Sequence, residues 1–216
     1  MSPLRRILIG FPLCAAAVAF SMPAAPQAEP DQSPLPSSQG VAAPAEISGF
    51  QSYLQLVAAK ARGQGVSQLA IDSVLGGLSY NPRVVALDRA QPGSNTGTPP
   101  PFSAYYDRHI GATRINGGRS ALADNLALIR QMEAQYGVPA QMIVAIWGKE
   151  TFYGRIKGDF DLARSLATLA YEGRRRNLFE GELIALMKMI DRGVPRSRLL
   201  GSWAGAFGNP QFLPSV

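Results

Sequence analysis

Glu150 closes the run Ala145-Ile146-Trp147-Gly148-Lys149-Glu150 and is followed at once by Thr151-Phe152-Tyr153-Gly154. A carboxyl group enclosed by apolar side chains keeps its proton more readily than one in water, and can then act as an acid. Further along comes a second dense segment, Gly201-Ser202-Trp203-Ala204-Gly205-Ala206-Phe207-Gly208-Asn209-Pro210-Gln211-Phe212-Leu213-Pro214-Ser215. Its small residues let backbone, hydroxyl and amide groups come close to a sugar. The two segments together point to chemistry on a glycosidic bond.

Glycosidases usually pair two carboxylates. Asp159 and Asp161 follow Gly158 in ordinary turn sequence, and Asp107 and Asp191 are weaker candidates. No second acid has surroundings like those of Glu150. A single acid can still cleave a glycoside if the substrate supplies the nucleophile. The competing reading of Glu150 is a helix-end carboxylate in a salt bridge with an arginine. Against it stand the flanking Trp-Gly and Thr-Phe-Tyr-Gly, costly choices for a solvated helix end. Gly148 within a helix costs about 1 kcal/mol relative to Ala, so it is expected to admit a close neighbour.

Other chemistries find little support. His109 is the single histidine and Cys14 the single cysteine, so neither a metal site nor a cofactor is expected. Ser202 stands in Gly-Ser-Trp, which is no nucleophile elbow, and a triad with His109 is not expected. No phosphate-binding glycine loop occurs. Arg174-Arg175-Arg176 reads either as a solvated charge run or as a binding site for peptide or lactyl carboxylates.

The elements that must position these residues read as helices. Phe50, Tyr53, Leu54, Val57 and Ala58 form a helical stripe over Ile47 to Lys60, with Ser48 as a cap. Ser67 to Leu75 repeats the pattern, and Gly76-Gly77 ends it. Val84 to Asp88 is a short apolar piece of undetermined type. Gln91 to Pro101, rich in Pro and Gly, is a loop with Tyr105 and Tyr106 just beyond it. Ser120 to Tyr136 is one helix stopped by Gly137, and Pro139 opens the next. On that second helix positions 143, 146, 147 and 150 share one face, which puts Glu150 at the end of its buried side. Leu162 to Tyr171 and Phe179 to Ile190 are two more helices. No alternating strand pattern appears, so the domain is expected to be all-α with long loops.

Before the domain, Arg5 and Arg6 precede an apolar stretch from Ile7 to Phe20 and then small residues. This reads as an export signal over residues 1–24, with an uncleaved anchor or a lipid on Cys14 as alternatives. Residues 25–46, rich in Pro, Ala, Ser and Gln, read as a flexible linker, and 47–216 as one domain. The formal charge of +6 favours an anionic partner. Export argues against nucleic acid and for a cell-wall polymer.

At these residues the chain resembles the membrane-associated lytic murein transglycosylase B family, glycoside hydrolases with a lysozyme-like fold. The resemblance rests on Val84 to Gln91, Tyr136-Gly137-Val138-Pro139, Ile143 to Gly154, Ser165 to Tyr171 and Gly201 to Ser215. It implies that Glu150 protonates the oxygen between N-acetylmuramic acid and N-acetylglucosamine. Glu150 then acts as base on the muramic C6 hydroxyl, leaving a 1,6-anhydromuramyl end. It further implies that Ser202 and Gln211 line sugar subsites, that Arg175 and Arg176 match paired arginines near the cleft, and that Tyr105 is a cleft aromatic. The expected partner is peptidoglycan, with cell-wall synthesis or remodelling proteins as further candidates. The expected setting is a periplasmic monomer, with membrane association as an alternative. The sequence departs from the family in the loop Gly93-Ser94-Asn95-Thr96-Gly97, and at Lys149, where an apolar residue is common. Family domains continue past Pro214-Ser215 through a calcium loop, in some members, and a further cleft tyrosine. The domain is therefore expected to be C-terminally incomplete, with a muramidase-type hydrolase or an inactive murein binder as alternatives.

Overall fold

Leu162, Leu166, Leu169, Leu183, Leu186 and Met187 recur at helical spacing and are almost wholly shielded from solvent. Each such side chain contributes about 1.5–3 kcal/mol when removed from water. They belong to α8 (Leu162–Glu172) and α9 (Arg176–Asp191), which form the centre of the molecule. This computed structural model describes residues 44–91 and 101–216. The expected leader, most of the linker and the Pro/Gly loop lie outside them.

Around the central pair pack α1 (Pro44–Gly63), α2 (Gln68–Leu75) and α3 (Pro82–Arg89). Phe50, Leu54 and Val57 of α1 enter this core, as does the expected stripe as a whole. The helix starts before Ile47, so Ser48 lies inside it and is not its cap. Ser67 does cap α2, accepting from the Ala70 amide at 3.1 Å. The undetermined stretch Val84 to Asp88 is helix α3, capped by Asn81 and opened by Pro82.

A second, smaller cluster joins Ile129, Ala140 and Val144, flanked by Leu122, Ile143 and Tyr153. It belongs to α5 (Ala112–Asp124), α6 (Leu126–Tyr136) and α7 (Ala140–Thr151). The helix expected from Ser120 to Tyr136 is thus two helices. Asn125 breaks it, its side-chain amide donating to the Ala121 carbonyl at 2.9 Å and displacing the backbone donor. Gly137 stops α6 in the left-handed conformation, φ 69°. A short helix not read from the sequence, α4 (Phe102–His109), precedes α5.

The described residues also hold one strand pair, absent from the sequence reading. β1 (Phe160–Asp161) runs antiparallel to β2 (Leu200–Gly201), Phe160 opposite Gly201. It anchors the 201–216 segment beside the start of α8. Among the described residues no helix is long and apolar enough to cross a membrane.

Candidate active site

α7 packs through its small residues. Ala140, Val144, Gly148 and Thr151 face inward, while Ile146 is 50% exposed and Glu150 is exposed. On the face shared by positions 143, 146, 147 and 150, Ile143 and Trp147 are half-buried and Ile146 and Glu150 are open, so the expected enclosure of Glu150 in an apolar wall is not found. The reason is steric. The Tyr153 ring lies against α7 at Gly148 and against α5 at Gly117 and Gly118, where added Cβ atoms would meet it at 2.5, 2.9 and 2.7 Å. Its hydroxyl donates to the Arg114 carbonyl at 2.7 Å. Gly148 does admit a close neighbour, and that neighbour is Tyr153.

Directly after α7 the chain reverses. Phe152 and Tyr153 both hold left-handed backbone, φ 49° and 61°. Two successive non-glycine residues there store strain of about 1–3 kcal/mol each, a feature concentrated at functional sites. Phe152 is flanked by two guanidinium groups, with Arg114 at 5.5 Å and Arg155 at 5.6 Å from its centroid.

Glu150 stands between two walls. At 3.6 residues per turn, Lys149 and Thr151 flank it at about 100° on either side. The Thr151 hydroxyl donates to the Asn209 carbonyl at 2.9 Å and accepts from the Gly154 amide at 3.0 Å. On that side lies the 201–216 segment. On the other, Lys149 Nζ sits 5.5 Å from the Tyr105 ring centroid. Tyr105 in turn stacks on His109 at 4.1 Å. Phe102, Tyr105 and Tyr106 leave α4 with an aromatic surface open to solvent. No hydrogen bond or ion pair holds the Glu150 carboxylate among the described residues, so its oxygens are open to a ligand.

Two grooves run beside Trp147. One, of about 230 Å³, is lined by Val138, Ile143, Ile146, Trp147, Asn209 and Pro210, and Glu150 lies one helical turn past it on the same face. The other, of about 540 Å³, runs between Trp147, Tyr153, Arg155 and the polar face of α5 at Asn116, Ser120 and Asp124. Trp147 Nε1 is buried with no partner among the described residues, an uncommon state for an indole.

Ser202 and Gln211 lie on the second wall, each partly committed to shaping it. Ser202 Oγ accepts from the Ala206 amide at 3.1 Å. Gln211, itself left-handed at φ 54°, donates to the carbonyls of Gly208 at 2.9 Å and Lys157 at 3.2 Å. The Ser202 hydroxyl proton and the Gln211 amide oxygen have no partner among the described residues. Ser215 is held below them by Glu182, which accepts from its amide at 2.9 Å and its hydroxyl at 2.7 Å.

Arg175 and Arg176 are not brought to this cleft by any contact among the described residues. They follow α8 at the end opposite β1, roughly 16 Å away along the helix. With Arg174, Arg175 pairs with Asp88, at 3.0 Å for Arg175. The Arg174 guanidinium holds the Asp88 carboxyl below the ordinary carboxylate range; burial opposes this and Arg175 reinforces it. Arg176 lies 5.4 Å over the Tyr53 ring and donates to the Tyr171 carbonyl. Of the rejected second acids, Asp161 caps α8 and binds Arg196 at 2.6 Å, and Asp191 is held by Ser67. Among the described residues no group of three acidic, His or Cys side chains is placed to hold a metal ion.

The described residues thus form a mainly helical bundle of the lysozyme-like class, with Glu150 exposed at the end of α7. The chain belongs to the transglycosylase SLT domain family, whose model matches residues 49–216. It is similar to SltB3 from Pseudomonas aeruginosa, solved in complex with NAG-NAM-pentapeptide, at 36% identity and a TM-score of 0.71 over 77% of this chain and 44% of that one. It is also similar to the Escherichia coli lytic transglycosylase Slt35 in complex with bulgecin A, at 28% identity and a TM-score of 0.63 over 78% of this chain and 52% of that one. Membrane-bound lytic murein transglycosylase B of Escherichia coli strain K12 is 44% identical over 82 residues, 37% of this chain and 23% of that protein. The chain thus spans about half or less of the length of these relatives. The fold is that of the lysozyme-like lytic transglycosylases, mainly helical as expected.

Proposed function

We propose that the chain is a peptidoglycan lytic transglycosylase and that Glu150 is its single general acid and base. The observation that carries this reading is the position of Glu150, open to a ligand between Tyr105 and the Ser202–Gln211 wall, in a chain of this family. Glu150 gives its proton to the glycosidic oxygen as the bond from muramic C1 breaks, and the N-acetylglucosamine 4-hydroxyl leaves. The muramic C6 oxygen then bonds to C1 and returns its proton to Glu150, closing the 1,6-anhydro ring. No water is consumed, and one carboxylate serves both transfers in turn. Ser202 donates its hydroxyl proton, and Gln211 offers its amide oxygen, to the hydroxyl and N-acetyl groups of the sugars. Tyr105, its ring set between His109 and Lys149, lines the cleft as an aromatic side chain beside the sugar. Arg175 and Arg176 stay outside this assignment, because their guanidinium groups are engaged with Asp88 and Tyr53.

The reaction takes place on exported murein, on the periplasmic side, with the chain acting as a monomer. The exposure of Glu150 favours one rival: a murein-binding domain that does no chemistry. Mass spectrometry of muropeptides, after incubation of purified murein with the chain and with Glu150→Gln, separates the two. Anhydromuramyl ends are expected from the chain, falling at least about 100-fold in the variant. Reducing muramic ends would make it a hydrolase. Retention on murein without products, equal in both proteins, would make it a binder.

A further inference from the structure

Lys149 is a cation next to the candidate acid, with no carboxylate partner among the described residues. Only some basic side chains among the described residues meet acids, such as Lys60 with Glu180, Arg174 and Arg175 with Asp88, and Arg196 with Asp161; what sets Lys149 apart is its place beside Glu150 and against the Tyr105 ring. Among the described residues Lys149 has no ion pair, and Asp107, on the same helix as Tyr105, does not approach it as one. A basic residue in the last turn of a helix is favoured by the helix dipole, which accounts for a cation on α7 but not for its position over a ring. Its ammonium group lies 5.5 Å from the Tyr105 centroid, on the side of Glu150 opposite the 201–216 wall. That contact sets the long side chain against the aromatic wall, with its charge beside Glu150 in the sequence.

The glycan of murein is neutral where its lactyl groups carry peptide, so the charge of the polymer lies on peptide carboxylates. The peptide hangs from O3 of the same muramic sugar whose C1 would be attacked beside Glu150. We infer that Lys149 is a specificity-determining residue that pairs with the carboxylates of the stem peptide, so that the cleft prefers peptide-bearing muramic residues with free acids. This rests on the proposed murein substrate, but not on cleavage.

The test is therefore a binding measurement, made in the Glu150→Gln chain so that nothing turns over. The ligands are N-acetylglucosaminyl-N-acetylmuramyl pentapeptide and the same compound with its peptide carboxylates converted to amides, titrated at low and at high salt. The acid form is expected to bind about three- to fivefold more tightly at low salt, the range of a solvent-exposed ion pair, with the difference shrinking at high salt. Adding Lys149→Met, which keeps an unbranched side chain, is expected to bring the ratio to one, and Lys149→Arg to preserve it. An unchanged ratio in Lys149→Met overturns the inference. So does equal weakening of both ligands, which would mean that Lys149 only supports the Tyr105 wall, and so does a lack of binding of either ligand. A ratio that depends on Lys149, found in a chain that yields no anhydromuramyl ends, supports it and overturns only the catalytic reading.

Discussion

The Thr151 hydroxyl, adjacent in sequence to Glu150, donates to the carbonyl of Asn209 at 2.9 Å. This bond ties the end of α7 to the glycine-rich wall, so the candidate acid and the groups that would meet the sugar share one junction. Thr151 is 1% exposed. Thr151→Val keeps its shape and leaves the Asn209 carbonyl and the Gly154 amide without their partner. It is expected to lower stability by about 1–3 kcal/mol in urea denaturation and to cut murein cleavage as the wall moves off Glu150.

Gly148→Ala should destabilise the chain even though alanine is the better helix former. An added Cβ would meet the Tyr153 ring at 2.5 Å. Pushing that ring off α5 is expected to cost about 1–3 kcal/mol, against the roughly 1 kcal/mol gained in helix propensity. Loss of the near-ultraviolet tyrosine signal together with a lower denaturation midpoint would show it. A rise in stability would mean that the ring is not fixed there.

Helix positions were legible where apolar residues were large and regularly spaced, as from Phe50 to Ala58 and from Leu162 to Tyr171. Gly137 marked an end because a left-handed residue stops a helix. The break at Asn125 was not legible, since an Asn within an apolar stripe looks like any polar helix position until its amide is seen on the Ala121 carbonyl. The open side of α7 was misread for a related reason. Large apolar residues at 143, 146 and 147 suggested core, yet a helix that must lie against Tyr153 and the neighbouring helix buries its small residues. Glu150 is singled out by its own flanks, and Ser202, Gln211 and Tyr105 by the family resemblance, whereas the hydrogen bond between Thr151 and Asn209 that joins α7 to the 201–216 segment has no signature in the sequence.

Asp88→Asn probes the pairing behind α8. The Asp88 side chain is 3% exposed and its two arginines 47% and 40%. A carboxyl held below its ordinary range adds stability that is fully present above the unfolded value and is lost as pH falls through the native one. The variant is expected to be about 2–3 kcal/mol less stable at pH 7, at or below the lower end for a fully buried pair because the arginines stay half in water. The gap should close as the pH drops below about 4. Denaturant midpoints at pH 7, 4 and 2.5 check it, and a constant gap would refute it.

Glu182→Ala removes the carboxylate that holds Ser215 by amide and hydroxyl. The expected loss is about 1–2 kcal/mol, with protease cleavage beginning after Phe212 or Leu213 under conditions where the unaltered chain is intact. Cleavage elsewhere first would show that this tether is not the weakest point.

The two apolar clusters are unequal, and the candidate acid is carried by the lesser. α8 and α9 are packed on many sides, whereas α5, α6 and α7 meet around Ile129, Ala140 and Val144 and leave much apolar surface outside. Partial opening should therefore begin at the smaller cluster, with its amides exchanging with solvent deuterium well before those of α8. The lopsided interior leaves the half that carries Glu150 the one expected to loosen first.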